Sequence, residues 1–201
     1  MELENGCNYT AKLFDNLDFT GQQLNSCQFT KCGFKKAQMK EVELSGCSFS
    51  DCDFTQAHLN AGSFKNTSFL NCRFNKANLF SAKFDNCKMT GSVFLEADLS
   101  GLAIIEGDWS FVSFRHANLK KFDFQGAVLK EVDFYGANLE EADLRNADLT
   151  RAVMANAKLQ CADLRGAKVE GVDFKDVSLN GARLDIMQAA QVVLSWGAKI
   201  G

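Results

Sequence analysis

Eight cysteines, two histidines and 25 acidic residues are the groups through which this chain could do chemistry. Cys27, Cys32, Cys47 and Cys52 form two Cys-x4-Cys pairs, and four sulfurs are the donor set of a structural zinc site. That spacing is wider than in common short zinc loops, and the sulfurs would have to converge to about 2.3 Å from one ion. Position argues for another role. Cys7, Cys27, Cys32, Cys47, Cys52, Cys72 and Cys87 all stand in a slot that alanine fills elsewhere, as small buried hydrophobes do. The spacing therefore predicts free, protected thiols, with neither metal nor cofactor. His58 and His116 lie on different sides of the chain's repeat, and no Ser-His-Asp or Cys-His pair is built around them. Glycines are dispersed, so no phosphate-cradling loop forms. An enzyme is not expected.

The acids offer a different chemistry. From 123 to 163 there are eight of them (Asp123, Glu131, Asp133, Glu140, Glu141, Asp143, Asp148 and Asp163) against Lys130, Arg145, Arg151 and Lys158. Asp123, Asp143 and Asp163 recur every twenty residues, with Glu106 placed near the same side. Glu106, Asp123, Asp133, Glu140, Glu141, Asp143, Asp148 and Asp163 are the candidate partner-binding set, an acidic stripe for a basic protein surface. The plain alternative is a solvated wall in which Arg145 and Arg165 screen neighbouring carboxylates. Lys31, Lys35, Lys36 and Lys40 make a basic run. The chain nevertheless nets −3 and shows no surface aromatic platform, so direct nucleic-acid binding is not expected.

What must position these groups is a five-residue repeat. Ala137-Asn138-Leu139-Glu140-Glu141, Ala142-Asp143-Leu144-Arg145-Asn146 and Ala147-Asp148-Leu149-Thr150-Arg151 each read small, Asp or Asn, large apolar, then two further positions. Neither the strand period of two nor the helix period of 3.6 fits. Numbered from the large apolar centre, the repeat runs from Tyr9 to Leu184 without insertion, through 36 apolar or aromatic centres, and 15 of the 18 Phe are centres. A second period is longer. Phe14, Phe34, Phe54, Phe74, Phe94, Phe114 and Phe134 recur every twenty residues, so four pentads make one coil. Nine coils at ~4.8 Å give a tube of roughly 43 Å. Gly or Asn often stands two residues after a centre, where a type II turn starting at the centre needs positive φ.

On these pentads the sequence resembles the pentapeptide-repeat family over about residues 7–184. The resemblance implies an all-β solenoid, a right-handed quadrilateral β-helix. Residues 1–6 read as a lead-in, 7–184 as the β-helix and 185–201 as a helix and tail. The absence of proline suits a fold that spends its backbone donors between coils. No 18-residue apolar stretch is present, so no membrane span is expected. The acidic start, Met1-Glu2-Leu3-Glu4-Asn5, lacks the basic lead and apolar run of a signal peptide, which predicts a cytoplasmic protein.

After Leu184 the pentads stop. Asp185 reads as an N-cap, Met187 to Trp196 as a helix and Gly197 as the residue just past it. Ala190, Val193 and Leu194 fall on one side, with Trp196 and Ile200 nearby, either to cap the last coil or to form a symmetric dimer contact. Gly181-Ala182-Arg183-Leu184-Asp185-Ile186 and Trp196-Gly197-Ala198-Lys199-Ile200 resemble the terminus of the Qnr and MfpA group, and Met89-Thr90-Gly91-Ser92-Val93-Phe94 is similar to a central stretch of MfpA. The resemblance implies a homodimer joined through the C-terminal helix. It further implies a partner, DNA gyrase or topoisomerase IV, bound by DNA mimicry with an effect on quinolone sensitivity. A scaffolding protein with an unrelated partner is the alternative. The unbroken register predicts that the projecting loops of many Qnr proteins are missing. Bulk charge is small for a mimic, since ~43 Å of duplex at one charge per ~1.7 Å holds roughly 25 negative charges. Mimicry would therefore rest on the 123–163 stripe.

Overall fold

A computed structural model describes residues 3–199. It divides into two compact units, Met1–Asp108 and Trp109–Gly201, a boundary that falls inside the unbroken pentad register. Each unit is a four-walled parallel β-solenoid, and the second ends in one short helix.

In the first unit Tyr9, Phe29, Phe49 and Phe69 pair in register on one wall, and Leu24, Leu44, Phe64, Phe84 and Ile104 on the next. The other walls are joined by single bridges such as Leu13↔Gly33↔Asp53 and Asp18↔Gln38↔His58. The second unit uses bridges on all four, for example Asp123↔Asp143↔Asp163 and Asn118↔Asn138↔Lys158. Every pairing joins residues twenty apart, so four pentads close one coil and no insertion breaks the register within either unit. Phe54 N donates to Arg73 O (2.7 Å) and Arg73 N to Cys52 O (3.0 Å), a pattern that repeats along the walls. It satisfies backbone groups that a narrow, dry tube would otherwise leave unpaired at ~1–3 kcal/mol each.

The centres fill the tube. Phe34 stacks on Phe54 at 4.8 Å and 6°, and Phe54 on Phe74 at 4.9 Å and 3°. Across the tube Phe49 meets Phe54 edge-on at 5.4 Å and 66°. The rings thus stack down a column and meet edge-to-face around it, both favourable for the aromatic quadrupole. In the second unit leucines such as Leu129, Leu139 and Leu149 take over, equally buried.

Corners follow the expected geometry in part. Gln56 has φ 59°, and Ala57 N closes the turn on Phe54 O at 2.9 Å. The type II turn is not universal, however. At six corners of the first unit, from Leu24–Cys27 to Phe69–Cys72, that closing bond is absent among the described residues. At each of them a thiol or hydroxyl from the next coil meets the corner carbonyl.

The helix spans Ile186–Ser195 behind the capping box of Asp185 and Gln188, and Gly197 follows with φ 83°. Among the described residues no helix is long and apolar enough to cross a membrane. The cysteines are free thiols, six of them buried, with Cys7 partly covered and Cys161 exposed. Thiol titration should therefore find Cys161 reactive in the native protein, Cys7 slower, and six silent until denaturant is added. Fewer than eight thiols in unreduced, denatured protein would reveal a disulfide instead.

Candidate interaction surface

The three aspartates that recur every twenty residues do form a ladder. Asp123 bridges Asp143, Asp143 bridges Asp163, and Arg183 continues the column. Two positions further along each pentad lie Gln125, Arg145 and Arg165. Arg145 holds both oxygens of Asp143 (Nη2 to Oδ2 2.5 Å, Nε to Oδ1 2.9 Å), and Arg165 grips Asp163 in the same way (2.6 and 2.9 Å). Such forked pairs are the strong form of a surface ion pair. The Arg165 guanidinium lowers the Asp163 carboxyl to about 2, and the Arg145 guanidinium holds the Asp143 carboxyl below its ordinary value. Around Arg145, Arg165 and Arg183 the wall has a polar hollow of about 340 Å³.

The remaining candidates are not gathered into that ladder. Asp133 pairs with Arg115 (3.0 Å) on another wall, where the guanidinium also lies over Tyr135 at 4.3 Å. Glu140 and Glu141 share Lys120 (3.0 and 3.3 Å), and Glu141 also meets Lys121. Asp148 sits between Lys130 and Lys168 on a third wall. Its burial opposes the charge, but the Thr150 hydroxyl and N–H and Lys168 outweigh this and lower its pKa. Glu106 is exposed and belongs to the other compact unit. Of the candidates in the second unit, Asp123 alone among the described residues has no cationic partner; its Oδ1 accepts from Gln125 N at 2.9 Å. The acids from 123 to 163 are thus mostly spent on their own lysines and arginines. Sequence spacing located the column but not the side-chain torsions that fold Arg145 and Arg165 back onto it.

The helix is built the reverse of an ordinary cap. Its polar residues face the last coil. Gln188 is 1% exposed, and its Nε2 donates to Ala167 O at 2.9 Å, where a further coil would have supplied a backbone N–H. Gln191 and Ser195 both donate to Val172 O (3.4 Å), and Asp185 Oδ2 accepts from Gly166 N (2.8 Å). Capping therefore runs through amides and a hydroxyl, not through the apolar side. Val193 (45%), Leu194 (46%) and Trp196 (68%) stay exposed with Ile186 and Met187, while Ala190 is half-buried. Ile200 lies outside the described residues.

Family models for pentapeptide repeats match residues 14–51, 47–84 and 137–176, and the pentapeptide repeat region matches 77–152. The chain belongs to the pentapeptide-repeat family. No curated protein matches the sequence. Among solved family structures, full-length QnrB1, described as a plasmid-mediated fluoroquinolone resistance protein, is 22% identical. The match covers 97% of this chain and 99% of that one, at a TM-score of 0.63. A trypsin-treated QnrB1 variant gives 23%, 98%, 99% and 0.61. HetL, a family member involved in heterocyst differentiation regulation in the cyanobacterium Nostoc, is 22% identical over 89% of both chains, at only 0.37. At these identities the likeness to QnrB1 is one of fold.

The Asp163 pairing sets a pH signature. Its folded pKa lies below the ordinary carboxylate value of ~3.9, so its contribution to stability is present above that value and is lost as pH falls toward about 2. Carboxyl NMR titration should show Asp163 titrating with a depressed midpoint that Arg165→Ala moves upward. An unchanged midpoint would refute the pairing.

Proposed function

We propose that this protein is a non-catalytic binder of a type II topoisomerase, DNA gyrase or topoisomerase IV, that modulates the enzyme and affects quinolone sensitivity. In this reading it works in the cytoplasm as a homodimer. The observation that carries it is the chain's ending: a capped helix that turns its polar side inward and leaves Ile186, Met187, Val193, Leu194 and Trp196 exposed. This ending lies in the segment that resembles the Qnr and MfpA group. The fold shared with QnrB1, a quinolone resistance protein, over nearly the whole of both chains supports the same reading.

Contact with the topoisomerase runs over the Asp123, Asp143, Asp163 wall, with Glu140, Glu141 and Asp148 on the adjoining walls; Asp133 stands on the opposite wall and Glu106 in the first unit. Bulk charge is not the basis of recognition. Residues 109–201 hold twelve acids and twelve bases, so the match to a DNA-binding surface must come from shape and from the open end of the ladder at Asp123. That charge balance also favours a second reading, a scaffold for an unrelated protein partner.

Supercoiling assays with purified gyrase, with and without quinolone, test the first reading. Wild type should alter supercoiling or drug-stabilised cleavage, and the triple variant Asp123→Lys/Asp143→Lys/Asp163→Lys should weaken the effect by about tenfold or more, the change expected for ~1.4 kcal/mol. A wild type without effect on either enzyme would leave the scaffold reading. Light scattering tests the dimer separately. The wild-type mass should be twice the chain's 22.2 kDa, and Val193→Asp/Leu194→Asp should restore the single-chain value. A monomeric wild type would remove the helix from the interface.

A further inference from the structure

Where a corner closes on itself, the N–H of the small inward residue donates to the carbonyl of the preceding centre. Ala37 to Phe34 (3.1 Å) and Ala127 to Phe124 (3.0 Å) are examples. At the six open corners from Leu24–Cys27 to Phe69–Cys72 that carbonyl meets a thiol or hydroxyl from one coil later. Three of these side chains complete a full bridge. Cys52 Sγ accepts from Cys32 N and donates to Phe29 O, both at 3.4 Å. Thr67 Oγ1 joins Cys47 N and Leu44 O, again at 3.4 Å. Ser92 Oγ joins Cys72 N (3.1 Å) and Phe69 O (2.8 Å). In every case the side chain stands between the two groups that would otherwise bond to each other.

The partition follows residue type. The residues one coil after the six open corners are Cys47, Cys52, Thr67, Cys72, Cys87 and Ser92. In the second unit every corner from Trp109–Val112 to Leu159–Ala162 closes, and the corresponding residues from Val132 to Ala182 are alanine or valine. A seventh, Tyr9–Lys12, is open with the Cys32 thiol donating to Tyr9 O (3.5 Å). Ile104–Gly107 and Phe84–Cys87 carry no turn either, and Phe84–Cys87 faces Gly107. There the glycine backbone packs so tightly on Cys87 that a Cβ would have no room. A thiol or hydroxyl is both donor and acceptor, so it can satisfy both orphaned groups at once. Alanine can satisfy neither, and the corner then has to bond to itself. Burial pushes the Cys47 thiol up and the Cys87 thiol up to about 11, which keeps these donors protonated.

We propose that the side chain at the inward slot is a switch for the corner one coil earlier: a thiol or hydroxyl inserts and opens it, and an aliphatic residue closes it. Opening releases the flanking pentads into three-residue strands, such as Gln23–Asn25 and Gln28–Thr30, that occur in the first unit. The cysteines are therefore structural selectors of corner state.

Crystal structures of three full-length variants test this. Cys52→Ser should keep the Phe29–Cys32 corner open with the new hydroxyl in the bridge. Cys52→Ala should bring Cys32 N and Phe29 O to about 3 Å. If the alanine variant does not fold, the converse decides: Ala147→Ser should open the Phe124–Ala127 corner, with its hydroxyl between Ala127 N and Phe124 O. An alanine variant whose corner stays open, a serine variant at 52 that closes, or an Ala147→Ser corner that still bonds at 3.0 Å each overturns the proposal.

Discussion

The hydrogen bond from one coil to the next is the constraint from which the other features follow. Phe54 N reaches Arg73 O, and Arg73 N reaches back to Cys52 O. Because this bond links residues nineteen or twenty-one apart and twenty residues make a coil, each side chain within a unit lies over the one twenty positions away. A tube one residue wide has no thick core, and its stability depends on repeating that contact. The stacking of Phe34 on Phe54 and Phe54 on Phe74 is a consequence of the register as much as a support for it. A single inserted residue would move every later centre off its column.

The same geometry explains why so many cysteines sit buried as small inward residues. The inward slot is too small for more than a methyl, a thiol or a hydroxyl at most sites, and burial pushes the Cys32, Cys47 and Cys87 thiols up. The extra atom still has an effect, because it lies against the corner of the coil before. Backbone donors and acceptors cannot be left unpaired in a dry interior, so adding or removing one polar hydrogen decides which bond forms. Residue chemistry here selects backbone conformation.

The charged groups stand on the outer walls, and the acids from 123 to 163 are largely paired with cations. Asp143, Asp163, Asp133, Glu140, Glu141 and Asp148 each hold a cation of the same unit. A wall of forked ion pairs is hydrophilic, and its charges are already paired. The helix departs from this economy. By sending Gln188, Gln191 and Ser195 to the carbonyls of the last coil, it leaves its apolar residues for another surface to cover.

The pentad and its twenty-residue superperiod were legible in the chain itself, as were the inward centres, the positive-φ corners, the Asp185 cap and the Asp123–Asp143–Asp163 column. These depend on spacing, and spacing is a property of the sequence. What spacing could not supply was any outcome decided by a side-chain torsion or by a contact across coils. The opening of the Phe29–Cys32 corner depends on where Cys52 points. The loss of free charge on Asp143 depends on Arg145 folding back two residues, and the cap depends on Gln188 replacing a backbone donor that the helix had withdrawn. Each is a choice among satisfied hydrogen-bond arrangements of similar local energy, and only the packed neighbours select one.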